Sequence, residues 1–171
     1  MDGVERFRDR SVTLAGVVGR NVEIPSANPV NYHQAIDDPG GCEPLLADGK
    51  LFLPRADGPL PVVMVVPGSL GVGDSHLGHA GTLLEAGYAA FVLDPFGPRS
   101  VVSTVANQTH YSFAASAFDG VAGGDHQRTG EQQGGKNLLR HRKSPQETVA
   151  AWLSRAATRG RTGAGEIRSG A

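Results

Sequence analysis

Leu60–Arg99, LPVVMVVPGSLGVGDSHLGHAGTLLEAGYAAFVLDPFGPR, decides how the rest of this chain is read. Val62-Val63-Met64-Val65-Val66 is an apolar run rich in β-branched residues, the pattern of a strand buried on both faces. Pro67-Gly68-Ser69-Leu70-Gly71-Val72-Gly73 breaks that strand and supplies glycines for an unusual backbone path. Asp74 or Ser75 can cap the helix that follows, in which Leu77, Ala80, Gly81 and Leu84 recur on one face. Gly87 is placed to end the helix, and Tyr88–Leu93 is a second buried strand. Strand, helix and strand of these lengths make a βαβ crossover between parallel neighbours, so the architecture is α/β. Functional groups in such sheets gather at the carboxyl ends of the strands, here Pro67–Gly73 and Asp94–Arg99.

Upstream, Val12–Ile24 alternates loosely and predicts one or two edge strands, stopped by Pro25-Ser26-Ala27-Asn28-Pro29. Residues 30–44 read as an irregular loop. Ala47-Asp48-Gly49-Lys50 reads as a tight turn between Leu45-Leu46 and Leu51-Phe52-Leu53. Downstream, Ser100–Thr109 is a polar loop, and Ser112–Ala122 predicts a short helix with Phe113, Ala117 and Val121 along one stripe.

At 171 residues the chain is long enough for one domain with a core. Its net charge of −1 hides a division. Residues 1–122 carry 7 Lys/Arg against 13 Asp/Glu, and residues 123–171 carry 9 against 4. Residues 123–143 are polar, glycine-rich and basic, which predicts mobile and mostly unpaired chain. Ser144-Pro145-Gln146-Glu147 is a capping box opening a short helix over 145–158. The expected division is therefore a domain over 1–122 and a basic, mostly flexible tail over 123–171.

Cys42 is the only cysteine, which excludes an intrachain disulfide and a cysteine metal cluster. The charged start lacks an apolar signal core, and no run is long enough to span a membrane, so a cytoplasmic location is expected. Gly68–Gly73 has neither the Gly-Lys-Ser/Thr ending of a phosphate loop nor dinucleotide-type spacing. His76 and His79 lie three apart with Asp74 nearby, but no third ligand is spaced to join them. No cofactor and no metal are expected. The basic residues Arg140, Arg142 and Lys143 lack aromatic interleaving, so nucleic acid is not an expected partner either.

The segment Val22–Ala122 resembles the N-terminal part of a dienelactone hydrolase-like member of the α/β-hydrolase superfamily. The matching pieces are 22–29, the strand Lys50–Pro54, the turn Pro67-Gly68-Ser69-Leu70-Gly71, Phe96-Gly97-Pro98-Arg99, and the loop 103–108. They cover roughly the first seven-tenths of the chain. The resemblance implies a partial α/β-hydrolase sheet with crossover helices, and ester or lactone cleavage by a Ser or Cys, a His and an acid. It implies an oxyanion role for the backbone N–H at Ser69, with Gly68, Leu70 and Arg99 as substrate contacts and a small ester or lactone as substrate.

The nucleophile elbow, G-x-[SC]-x-G, is missing from this sequence, as is the late acid-and-histidine segment. The expectation is a truncated or frame-shifted homologue, inactive alone, with an exposed sheet edge open to self-association. A plain strand-to-helix turn at Ser69 and a non-catalytic binding module are the other readings. Asp94 is read either as a substrate-polarising group or Arg99 partner, or as the cap of its own loop, and Arg99 as a surface ion pair if it does not bind substrate.

Overall fold

The computed structural model describes residues 6–58 and 60–131. A small hairpin, β1 (Thr13–Leu14) with β2 (Val17–Val18), precedes a four-stranded mixed sheet. The sheet contains β3 (Arg20–Asn28), β4 (Glu43–Phe52), β5 (Val62–Val65) and β6 (Ala89–Asp94), in the order β3-β4-β6-β5. The helices are α1 (Tyr32–Asp37), α2 (Asp74–Glu85) and α3 (Phe113–Glu131).

The predicted βαβ unit is present: β5 pairs parallel with β6, Val62 opposite Ala89 and Val65 opposite Val92, with α2 between them in sequence. Every residue of β6 is buried, because the strand is central and both faces are covered. Its side chains alternate as the pleat requires. Phe91 and Leu93 pack with Ile24, Leu51, Phe118 and Ala122 against α3. Ala90 and Val92 pack with Phe7, Phe52, Ala80 and Leu84 on the α2 side. Burying a side chain such as Phe91 is worth about 2 kcal/mol. The α2 face predicted from Leu77, Ala80, Gly81 and Leu84 is the one turned inward, and Gly87 (φ +85°) turns the chain out of it.

Several expectations are corrected. β5 is not buried on both faces: it lies at the end of the sheet, its side chains are half-buried, and its outer edge has no strand partner among the described residues. Residues 25–29 do not stop β3, which runs to Asn28; a proline is tolerated there because β3 is an edge strand. Residues 47–50 are not a turn. β4 continues through them, and the glycine answers a packing demand, since a Cβ on Gly49 would lie 2.3 Å from the Phe91 ring and 2.9 Å from the Val92 carbonyl oxygen.

The loop at 30–44 contains α1 and a single 3-10 turn, Pro39–Gly41. α3 runs on across the change of composition at residue 122 as far as Glu131, so residues 123–131 are helical rather than unpaired. Gly123 favours this path, because a Cβ there would lie 2.7 Å from Met64 Cε; the missing side chain lets the helix lie close to the sheet. The inward stripe of α3 is Ala115, Phe118, Asp119 and Ala122, one residue out of phase with the predicted one, and Phe113 is exposed. The predicted helix at 145–158 lies outside the described residues. No helix among the described residues is long and apolar enough to cross a membrane.

Candidate functional site

The carboxyl ends of β5 and β6 lie side by side because the two strands are parallel neighbours, and this brings the two glycine- and proline-rich turns together. After β5 the chain makes a tight turn in which the Gly71 N–H donates to the Gly68 carbonyl at 3.0 Å. Gly71 takes φ +69°, a conformation that favours glycine, and packs against the Phe96 ring. Gly68, Ser69 and Leu70 are all exposed on this turn. The Ser69 carbonyl is anchored, accepting from the Thr104 N–H at 2.9 Å and from Ser103 Oγ at 3.2 Å. The N–H groups of Ser69 and Leu70 make no hydrogen bond among the described residues.

Neither Asp74 nor Ser75 caps α2. Gly73 is the capping residue, and its N–H donates to Nδ1 of His76 at 3.1 Å, which gives that imidazole a local structural task. Among the described residues no cluster of three or more His, Cys, Asp or Glu side chains is arranged to hold a metal ion.

Asp94 turns out to cap its own loop. One carboxylate oxygen accepts from the N–H groups of Phe96 (3.2 Å) and Gly97 (3.1 Å). Arg99 is the clearest correction. Its guanidinium is buried and makes five hydrogen bonds within the protein: two to Asp119 (2.8 and 3.1 Å), and one each to Asn28 Oδ1 and the carbonyls of Pro95 and Ala27. A guanidinium has five N–H donors, so none is left for a substrate carboxylate. Nor is this a surface ion pair. Asp119 also accepts from the hydroxyls of Tyr111 and Ser26, which ties α3, β3 and the loop after β6 into one polar knot. Burial and the Asp119 carboxylate hold the Tyr111 phenol well above its ordinary range.

A cavity of about 440 Å³ opens at these strand ends. Leu70, Gly71 and Val72 form one wall, and residues of the loop after β6 form another. The third wall, Arg6, Phe7 and Arg10, comes from the N-terminal segment and was not anticipated from sequence. That segment is held down by charge. Arg6 pairs with the buried carboxylate of Asp48, which Arg8 approaches to 3.6 Å, and Arg8 pairs with Glu23. Asp48 stands directly across from Asp94 in the β4–β6 register, and like charges so placed repel unless countered. Burial pushes the Asp48 carboxyl above its ordinary value, more than Arg6 and Arg8 pull it down. Lys50, also buried, bonds the Arg8 carbonyl at 3.2 Å and lies over the Phe7 ring, and burial lowers its ammonium pKa. The sequence signal for all this was a strand with Asp and Lys in alternate positions on one face.

Among the described residues no serine or cysteine shares a hydrogen bond with a histidine, so no nucleophile–base pair is assembled there. A solved dienelactone hydrolase-like promiscuous phosphotriesterase from metagenomic libraries is similar to this chain, with 20% identity and a TM-score of 0.45. The likeness covers 67% of this chain and 44% of that one, so this chain spans less than half of that enzyme's length. At that identity and score it assigns no activity and no residue role here. No protein-family model matches the chain, and no curated protein matches it.

Proposed function

We propose that this chain carries the oxyanion side of an ester- or lactone-cleaving α/β site and does not turn over such substrates by itself. The observation that supports this reading is the exposed Gly68–Gly71 turn at the end of β5. Among the described residues its Ser69 and Leu70 N–H groups make no hydrogen bond, and it sits beside a 440 Å³ cavity to which Leu70 and Gly71 contribute. Backbone amides aimed at a developing negative oxygen stabilise it during acyl transfer. Acyl transfer also needs an activated nucleophile and a base within reach, and the sequence contains no elbow to present one. The resemblance of Val22–Ala122 to dienelactone hydrolase-like proteins supports a small ester or lactone as the substrate class.

The test is purified full-length chain with an activated aryl ester and with a dienelactone-type substrate, beside Ser69→Ala and Ser75→Ala. The expected result is a rate at or near background that neither substitution changes. Saturable turnover abolished by either substitution would refute the reading and make that serine the nucleophile.

A further inference from the structure

We infer that the strand-end cavity selects a neutral ester with an apolar body and disfavours one that carries a carboxylate. This rests on the reading above and adds a selectivity to it. The charged groups of the cavity wall are Arg6, Arg10 and Asp94, and the cations among them are already committed. Arg6 pairs with Asp48, and Arg10 is not free either. Asp94 adds a negative charge to the wall, with one oxygen held by the N–H groups of Phe96 and Gly97. Arg99, on the same loop after β6, spends all five donors inside the protein. An incoming carboxylate therefore loses its hydration, meets Asp94 and has to displace an existing partner of a guanidinium. A neutral ester has no charge to desolvate. Its carbonyl oxygen needs one donor, and the N–H of Leu70, a residue of this wall, makes no hydrogen bond among the described residues. The hydrocarbon of the wall comes from Phe7, Leu70, Val72, Phe96, Val101 and Val102. Leu70 and Val102 are 75% and 65% exposed, so an aryl or alkyl group seated against them removes apolar surface from water. The volume of about 440 Å³ falls in the range of small-molecule sites.

The probes are methyl phenylacetate, its anionic counterpart sodium phenylacetate, and methyl acetate, which keeps the ester and lacks the aryl group. Each is titrated into the full chain and followed by amide chemical shifts, with hydrolysis measured in the same samples. Methyl phenylacetate should move the Gly71 and Gly97 amides and bind at least tenfold more tightly than either of the other two. Leu70→Ser and Val102→Ser, both at exposed positions of the wall, should each weaken methyl phenylacetate at least threefold. Val18→Ser, exposed on the β1–β2 hairpin and outside the wall, should behave as the parent. If one of the two wall variants does not fold, the other decides. Phenylacetate binding as tightly as its methyl ester, no binding of methyl phenylacetate, or undiminished binding by a folded wall variant would overturn the selectivity. Hydrolysis of methyl phenylacetate by the chain would instead end the reading above and leave the selectivity to be judged by the same affinities.

Discussion

Arg99 and Asp119 form a buried two-pronged ion pair that joins the loop after β6 to the middle of α3, with nitrogen–oxygen distances of 2.8 and 3.1 Å. The pair stands within a complete set of partners, since the remaining Arg99 donors and the second acceptor positions of Asp119 are also taken. Removing one partner leaves the other buried and uncompensated. Asp119→Ala should therefore cost about 3–5 kcal/mol in urea unfolding. The double variant Arg99→Met/Asp119→Leu should recover a large part of that loss, because two apolar groups leave no orphaned charge. Equal stability of Asp119→Ala and the parent would show that the pair contributes nothing.

Gly49→Ala tests the continuity of β4. Its Cβ would collide with the Phe91 ring and the Val92 carbonyl oxygen, and backbone cannot move aside as a flexible side chain can. A loss of about 1–3 kcal/mol is expected from overpacking, read from the denaturation midpoint. A neutral or stabilising effect would mean that residues 47–50 form an open turn after all.

Asp48 gives a pH dependence of definite sign. Its folded-state carboxyl is raised above the ordinary 3.8 by burial, so the native state holds that proton more tightly than the unfolded chain does. Its contribution to stability is then greatest below about pH 4 and declines as pH rises through the folded-state value. Asp48→Asn should gain on the parent between pH 4 and pH 7 in urea midpoints measured across that range. If the variant instead loses ground as pH rises, the attraction of Arg6 and Arg8 outweighs burial.

The βαβ unit could be read from sequence because its signals are local: an apolar run, a glycine turn, a helix of period 3.6 and a second apolar run. The errors fell where long-range packing overrides local chemistry. Gly49 looks like a turn residue until Phe91 is placed beside it, and Gly123 looks like a helix breaker until Met64 is. Pro25 looks like a stop until β3 proves to be an edge. Of the site, the two strand-end turns were visible, but the wall built by Arg6, Phe7 and Arg10 was not, because 42 residues separate Arg6 from the Asp48 that holds it. Arg99 was misassigned because a free guanidinium and a buried one look alike in sequence. Asp119 on the inward stripe of α3 was the available clue, since a buried carboxylate requires a partner.

Covalent capture with an alkyl fluorophosphonate, which reacts with activated serine hydroxyls, followed by intact-mass measurement of the full chain, bears most directly on the proposed function. The proposed oxyanion turn, lacking an activated nucleophile, predicts unmodified mass after exposure that fully labels a serine esterase run in parallel. A single stoichiometric adduct, mapped to Ser69 or Ser75 and absent from the corresponding alanine variant, would contradict it.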